Sequence, residues 1–332
     1  MPLSVFSKFK NGISTVGLSP FGLACFVALG LVPVFITDSA LIRIIISAMM
    51  FGAFAMAFDF TTGFINITNF GFSAFWGLGA YTTAILAKTI GLSPWIGLLA
   101  GFIVAGVAGF LVGVLTIRLG GIFASCMTWF VALALFAVAT NAVDLTQGPQ
   151  GITVRRIIDS PDNTGTFYIM FVLVVIVFIT LMLITKSNIG TAFRAIGQDV
   201  EAAQASGINP TKYKVLNFTI SCAFAGLIGA FSAHFIGIVH PARFQTINTI
   251  DIMVLAFVGG RGTIWGGLLC ALLLNPIMDY TRGLLELRLI LYGVLMIVVM
   301  IFYPSGLAGV VQFIRFNVLK LFKIKGKAKD KT

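Results

Sequence analysis

The stretch WIGLLAGFIVAGVAGFLVGVLTI, residues 95–117, contains no charged side chain and is long enough to cross a lipid bilayer. A transmembrane helix needs about 20 consecutive apolar residues, and similar runs occupy 121–141, 167–185 and 214–233. In the whole chain of 332 residues, 58% of the side chains are hydrophobic and 10% are charged, whereas soluble domains have about 25% charged residues. The apolar runs are continuous rather than alternating, which argues against a β-barrel. The sequence predicts an all-α polytopic membrane protein with a single transmembrane domain, 1–332.

Hydropathy predicts about eight full transmembrane helices, at 20–36, 43–58, 70–87, 95–117, 121–141, 167–185, 214–237 and 285–303. Between 239 and 283 the pattern is broken, and two apolar pieces, 250–258 and 264–276, surround the glycine-rich VGGRGTIWGG. Each piece is too short to cross a hydrocarbon core about 30 Å thick, because an α-helix rises about 1.5 Å per residue. We therefore expect a broken or re-entrant helix pair, which a membrane tolerates where protein or a cavity surrounds it.

Positive charge sets the expected orientation of the chain in the membrane, because basic residues next to a span favour the cytoplasmic side. The basic residues near the two ends of the chain are Lys8, Lys10, Arg315, Lys320, Lys323, Lys325, Lys327, Lys329 and Lys331. This rule places the N-terminal segment 1–19, the loop 186–213 and the tail 304–332 in the cytoplasm. It requires that the two short pieces together return the chain to the outer side. The tail is then expected to face the anionic head groups of the lipid bilayer.

The residues that carry catalytic or metal chemistry are scattered along the chain. The formal net charge of +11 has no nucleic-acid-binding motif beside it, so nucleic acid is not an expected partner. The four cysteines lie in apolar stretches without CxxC spacing, and no cluster of His, Cys, Asp or Glu indicates a metal site. The pattern GxxxxGK(S/T) is absent, so no P-loop for ATP is expected. We expect no catalytic residue and no bound cofactor in this chain.

Two single residues have alternative interpretations. Ser305 lies beside glycines in YPSGLAG, 303–309, but no histidine follows it, so an intramembrane serine hydrolase would lack its general base. His234 lies in an apolar stretch and either belongs to a proton relay or is a hydrogen-bonded core histidine. A relay would need an acidic partner, and none is adjacent in the sequence.

A second irregular region, FDFTTGFINITNFGFSAFWGLGAY at 58–81, places polar and glycine residues between two predicted spans. A pair of interrupted segments indicates a transport pathway, and ionisable groups inside a membrane usually face protein or water. The residues that we expect to line a substrate pathway are Asp59, Asn66, Thr68, Asn69, Asp251, Gly259 and Gly260. For Asp59, Asp251 and Arg261 two interpretations are open: they line a substrate path or brace the broken helices, or they lie at the membrane interface. In a self-sufficient ion-coupled carrier, Asp59 and Asp251 would instead bind the coupling ion.

The segment EAAQASG, residues 201–207, is polar and lies between long apolar runs. Residues 199–206 favour a helix whose first turn carries Asp199 and Glu201, where negative charge complements the helix dipole. Gly207 suits the position after a helix end, and Pro210 prevents the helix from continuing. The alanines leave little bulk on its surface. The pattern predicts either an ordinary loop helix or a short helix that seats in a groove on a partner.

The residues Glu201, Ala202, Ala203 and Gly207 resemble the EAAxxxG coupling-helix motif of the permeases of ABC transporters. The blocks GFINITNFGFSAFWGLGAYTTAIL, IRLGGIFASCMTWFVALAL, LTQGPQGI, AIGQDVEAAQASGINPTKYKVLNFTISCAFAGLIGAF and MVLAFVGGRGTIWGGLLCALLL resemble, in this order, blocks of the LivM-type branched-chain amino acid permeases. The resemblance covers about residues 40–310.

The resemblance implies a permease subunit of an importer in the bacterial inner membrane. A second, homologous permease subunit would pair with it, and two ABC ATPase subunits that bind ATP-Mg would dock on the cytoplasmic side, where residues 201–207 would contact the ATPase. A periplasmic binding protein would deliver the substrate. The implied cargo is a branched-chain or other hydrophobic amino acid. The block TQGPQGI, 146–152, departs from the more glycine-rich form of the family. Import of urea or short amides by the same architecture therefore stays an alternative.

Overall fold

The structure is a computed structural model, and it describes residues 20–36, 38–117, 122–158, 163–280, 286–302 and 306–309. The predicted N-terminal segment 1–19 and all of the tail except 306–309 lie outside these residues. The described helices are α1 Pro20–Phe35, α2 Ser39–Thr62, α3 Phe72–Ile90, α4 Pro94–Ile117, α5 Ile122–Asn141, α6 Val143–Thr146, α7 Thr164–Lys186, α8 Asn188–Gln198, α9 Val200–Ala205, α10 Pro210–Ile236, α11 Thr246–Gly260, α12 Trp265–Tyr280 and α13 Glu286–Phe302. Two short strands, β1 Ile152–Thr153 and β2 Ile238–Val239, pair antiparallel, and 3₁₀ turns cover Gly148–Gln150 and Pro241–Phe244.

Five of the described helices, α2, α4, α5, α7 and α10, are long and apolar enough to cross a membrane, and the bent pair α11–α12 makes a sixth if it counts as one span. The predicted all-α polytopic membrane protein is therefore confirmed, but the number of about eight full spans is not. The helices α1 and α13 have 16 and 17 residues, fewer than the roughly 20 that a hydrocarbon core requires. The helix α3 has 19 residues, but polar side chains interrupt its apolar sequence.

The helix α10 forms the centre of the bundle, and every residue from Ser221 to His234 is buried. It packs closely on α3 and α4 through glycines. A Cβ at Gly79 would overlap the carbonyl oxygen of Gly226, and a Cβ at Gly226 would overlap that of Gly101. Small residues at such crossings let helix backbones touch, which is how helices associate in lipid. The glycines of α3, α4 and α10 therefore set the spacing of the central helices.

The helices α11 and α12 form the broken pair that the sequence predicts. They have 15 and 16 residues, and the chain bends by 115° at the break between them. The helix α12 packs along α2, with Asn275 Nδ2 donating to Ser47 Oγ at 3.3 Å. The break itself therefore lies at the end of α2 that contains Thr62.

At one end of the bundle, the break between α11 and α12 lies close to α8, to residues 62–66 and to Gly306, although these segments are distant in sequence. The break between α11 and α12 contacts residues 62–66, the helix α8 packs on the same residues, and Gly306 lies against Gly260. Residues 306–309, at the start of the basic tail, are therefore at the same end as the loop 186–213. That this end faces the cytoplasm stays a prediction from the charges.

Candidate functional site

Asp59, in the last turn of α2, is buried, and both of its carboxylate oxygens bind the break between α11 and α12. Oδ1 accepts a hydrogen bond from the backbone N–H of Gly262 at 2.8 Å, and Oδ2 accepts one from that of Ile264 at 3.0 Å. A buried carboxylate requires such donors or a compensating charge, because desolvation of an unpaired charge is very costly. The guanidinium of Arg261 supplies a positive charge next to it. Asp59 therefore holds the break against α2.

Arg261, in the same break, makes the reciprocal contacts. Its Nε and Nη2 donate to the carbonyl oxygen of Thr62 at 3.1 and 2.8 Å, and Nη2 also donates to Oδ1 of Asn66. The last four carbonyl groups of a helix have no partner within the helix, and Arg261 satisfies one of these at the end of α2. We call the hydrogen bonds of Asp59 and Arg261 across this contact the interlock. It joins segments that are separated by 195 to 205 positions in the sequence.

The backbone in the break has a conformation that depends on the interlock. Ile264 has a φ of 54°, which is rare for a β-branched residue and costs of order 1–3 kcal/mol. Its neighbours form a tight turn in which the N–H of Trp265 donates to the carbonyl oxygen of Thr263 at 2.6 Å. The N–H of Ile264 itself points to Asp59. The carboxylate therefore stabilises a strained turn that the local sequence does not favour.

The predicted pathway residues Gly259 and Gly260 contribute close packing at the break. A Cβ at Gly259 would overlap the carbonyl oxygen of Gly266, so the ends of α11 and α12 approach closely. Gly260 has a φ of 115°, a conformation that is nearly restricted to glycine. Together they let the chain turn sharply enough for Arg261 to reach α2.

The short helix α9, Val200–Ala205, has the shape that the sequence predicts. Asp199 caps its start, with Oδ1 accepting from the N–H groups of Glu201 and Ala202 at 2.8 and 3.0 Å. Gly207 has a φ of 83°, and the N–H of Ile208 donates to the carbonyl oxygen of Ala203 at 3.0 Å, which is the pattern of a Schellman motif. Capping at both ends stabilises a helix that would be too short to persist alone.

The four residues of the EAAxxxG pattern differ in exposure. Glu201, Ala202 and Gly207 are exposed, whereas Ala203 is buried against the rest of the chain. A Cβ at Gly207 would meet no atom within 4 Å. The helix α9 therefore presents a small, open surface.

The helix α8 packs on the end of α2 through contacts that the sequence interpretation missed. Phe193 meets Phe60 edge to face with ring centroids 5.6 Å apart, and the guanidinium of Arg194 lies 5.4 Å from the ring centroid of Phe64. A Cβ at Gly197 would overlap the carbonyl oxygen of Phe64. The amphipathic pattern of residues 188–198 is the signal from which the docking of α8 could have been predicted.

A second set of polar contacts lies at the start of α3. Oδ1 of Asn69 accepts from the N–H of Gly71 at 3.1 Å, and this N–H also donates to Thr128 of α5 at 3.3 Å. The N–H of Ser73 donates to Thr249 of α11 at 3.0 Å. Asn69 is therefore buried and has a structural role at the point where α3, α5 and α11 meet.

The structure brings together only part of the predicted pathway. Asp59, Asn66 and Gly260 meet at the interlock, while Thr68 is half-buried beside Asn69 in sequence. Asp251 is buried on α11, nine residues before Gly260, which is about 13 Å along an α-helix. Asp59 and Asp251 are therefore not neighbours. The described residues contain no group of three or more His, Cys, Asp or Glu side chains that could hold a metal ion.

The long apolar helices and the broken pair packed against α2 define a polytopic membrane protein, and helices broken in this way line the solute sites of many transporters. The family model described as the permease component of the branched-chain amino acid transport system matches residues 40–300. The chain belongs to this family. The resemblance to the LivM-type permeases that the sequence predicts is confirmed.

Two kinds of curated relative are similar to the chain. The high-affinity branched-chain amino acid transport system permease protein LivM of Salmonella typhimurium is 27% identical over 304 residues, which cover 82% of this chain and 71% of the relative. LivH of the same organism is 22% identical over 277 residues, 77% of this chain and 90% of the relative. A probable LivM of Methanocaldococcus jannaschii is 23% identical over 253 residues, 68% and 73% of the two chains. No solved structure matches the chain.

Proposed function

We propose that this chain is the permease subunit of an ATP-driven importer of branched-chain or other hydrophobic amino acids in a bacterial inner membrane. The observation that carries the proposal is α9, an exposed helix with the EAAxxxG pattern that is capped at both ends by Asp199 and Gly207. The names of the similar LivM and LivH proteins describe them as permease proteins of high-affinity branched-chain amino acid transport. These names support branched-chain amino acids as the class of cargo for this chain.

In the proposed complex this chain has four kinds of partner. The chain pairs with a second, homologous permease, since it is similar to both LivM and LivH, two proteins of Salmonella typhimurium that are each named as a high-affinity branched-chain amino acid transport system permease protein. Two ABC ATPase subunits, which bind ATP-Mg, dock on the cytoplasmic side, and α9 of this chain contacts an ATPase subunit. A periplasmic binding protein delivers the substrate on the opposite side, and the apolar helices contact lipid. This chain itself is proposed to be a transport subunit, with no catalytic residue and no cofactor.

In the proposed mechanism, closure of the ATPase dimer around ATP moves α9 and shifts the permease between outward-open and inward-open conformations. ATP acts here as a ligand that binds one conformation of the whole complex better than the other. Residues of this chain do not touch the nucleotide. Their task is to receive the movement at α9 and to pass it to the helices that enclose the substrate.

The contacts of Asp59 weaken the alternative of a self-sufficient ion-coupled carrier. Both of its oxygens accept backbone hydrogen bonds from the break, and Asp251 lies about 13 Å further along α11 by its position in the helix. An ion shared by the two carboxylates would need them to be close together. We therefore assign Asp59 to the stability of the break rather than to ion binding.

The experiment is uptake into proteoliposomes that contain the chain with its co-expressed permease, ATPase and binding-protein partners. Labelled leucine is expected to enter only when ATP is supplied inside the vesicles on the ATPase side. Uptake by this chain alone, driven by an ion gradient, would contradict the proposal. Parallel assays with labelled urea and with a short amide decide the cargo class, because uptake of those solutes in place of leucine would overturn the amino acid assignment.

Two substitutions test the role of α9 in the same assay. Glu201→Lys places a positive charge in the first turn, and Gly207→Val places a β-branched residue at a φ of 83°, which breaks the end of the helix. We expect both complexes to remain in the membrane and to lose ATP-driven uptake. The control is Lys186→Glu, an equally large charge reversal at an exposed residue outside α9, which is expected to keep uptake. Normal uptake in both α9 variants would count against the docking role.

A further inference from the structure

A single residue, Asp199, joins the helices α8 and α9 into one continuous unit. The N–H of Asp199 donates to the carbonyl oxygen of Ala195 at the end of α8, at 3.0 Å, while its side chain caps the start of α9. Asp199 thus ends one helix and begins the next. No flexible linker lies between the two helices, so we expect a displacement of α9 to displace α8 as well.

The unit formed by α8 and α9 rests on the segment that the interlock holds. Phe193, Arg194 and Gly197 contact Phe60 and Phe64. Residues 59–66 also carry the three groups that bind the break, which are the carboxylate of Asp59, the carbonyl oxygen of Thr62 and the side chain of Asn66. The same eight-residue segment therefore has α8 on one side and the break between α11 and α12 on the other.

We propose that the interlock between Asp59 and Arg261 is the joint through which movement of the ATPase-docking helix reaches the broken helix pair. This inference rests on the proposed function, because it assumes that α9 receives the movement. The joint stays closed throughout the transport cycle and acts as a stiff connection. The broken pair α11–α12 follows the end of α2, so the bend between these helices responds to α9.

Arg261 is the positioning residue on which the joint depends most specifically. Its side chain is exposed, unlike that of Asp59, so its removal leaves the buried core of the bundle intact. Its hydrogen bonds go to Thr62 and Asn66, and these contacts tie the break to the segment on which α8 rests. Loss of Arg261 should therefore weaken the connection without unfolding the protein.

The first test replaces Arg261 by glutamine in the full complex of permeases, ATPases and binding protein. We expect the ATPase subunits to co-purify with the variant and to hydrolyse ATP, while the amount of leucine imported per ATP falls by about 5- to 150-fold, the range of typical coupling between sites. Arg43→Gln removes the same charge from an exposed position at the other end of α2 and is expected to keep the wild-type ratio. A residue with a merely structural role would lower ATP hydrolysis and import together.

The second test restores the connection by a covalent bond. In the double variant Asn66→Cys, Arg261→Cys the hydrogen bonds are absent, and we expect the same loss of import per ATP. Joining the two cysteines with a short bifunctional maleimide should restore import, because the joint works while closed. Each single-cysteine variant, treated in the same way, controls for reaction at the native cysteines.

The outcomes separate the joint from the proposed function. If wild-type complexes show no ATP-dependent import, the proposed function fails. If they import and Arg261→Gln keeps the wild-type amount of import per ATP, the proposed function stands and the joint is wrong. If cross-linking in the double variant blocks import, the contact between residues 66 and 261 must open during the cycle. If cross-linking leaves import per ATP low, a stiff connection between these residues does not matter for transport. Either result overturns the inference.

Discussion

Replacing Asp59 by asparagine removes one of the two acceptors that hold the break between α11 and α12. The amide keeps an oxygen for the N–H of Gly262 but presents its NH₂ group to the N–H of Ile264, which then has no acceptor at a buried position. One orphaned buried donor costs about 1–3 kcal/mol. Asp59→Ala removes both acceptors and should lower the free energy of unfolding by about 2–6 kcal/mol, roughly twice as much.

The assay is equilibrium unfolding of the purified protein in detergent micelles by titration with SDS. The expected order of stability is wild type, then Asp59→Asn, then Asp59→Ala. Asp144→Asn makes the same chemical change at an exposed residue of α6 and should stay within about 0.5 kcal/mol of the wild type. The reasoning is refuted if Asp59→Asn is as stable as Asp144→Asn, or if the asparagine and alanine variants are equally unstable.

Two further predictions concern packing and hydrogen bonding in the centre of the bundle. Gly79→Val drives a side chain into the backbone of Gly226 and should abolish accumulation of the folded protein. In contrast, the new Cβ of Gly293→Ala meets no atom within 4 Å, so this change should be neutral or slightly stabilising, since alanine is the better helix former. Membrane expression and gel filtration check both predictions. Nδ1 of His234 must donate to the carbonyl oxygen of Arg155, so Nε2 accepts from the hydroxyl of Thr83 at 2.7 Å. Thr83→Val leaves Nε2 unpaired and should destabilise by about 1–3 kcal/mol in the SDS titration, and a stability equal to the wild type would contradict the assignment.

The long apolar helices could be predicted closely from the sequence, because a continuous apolar run has few alternatives in a membrane. The predicted spans 95–117 and 121–141 correspond to helices Pro94–Ile117 and Ile122–Asn141. The break at 259–263 was also predictable, since glycines and two short pieces exclude a continuous span. His234 is a hydrogen-bonded core histidine, which was one of its two interpretations.

The hydropathy of single segments failed where polar residues are buried in protein rather than exposed to lipid. The helix α2 continues to Thr62, beyond the predicted end at 58. Asp59, Thr61 and Thr62 lie among neighbouring helices and are almost completely buried. An average over the sequence counts their polarity as unfavourable in lipid, although their surroundings here are other helices.

The partners of the predicted site residues could not be found from the sequence alone. Asp59 was expected to line a pathway, to brace the broken helices or to lie at the membrane interface, and its contacts with Gly262 and Ile264 support the bracing role. These residues are more than 200 positions apart in the sequence, so no local pattern relates them. Their contact is set by the packing of α12 along α2. The roles of Thr68, Asn69 and Asp251 in a substrate pathway stay predictions.

The most direct measurement of the central claim is covalent capture at α9 in the assembled, importing complex. In the test variant a photoreactive amino acid replaces Ala202, which is exposed on α9. In a separate control variant it replaces Asn141, which is exposed at the end of α5. After illumination, we expect the probe at Ala202 to be joined to the ATPase subunit and the probe at Asn141 not to be. A complex that imports leucine with ATP, but whose Ala202 probe never captures the ATPase, would contradict the account.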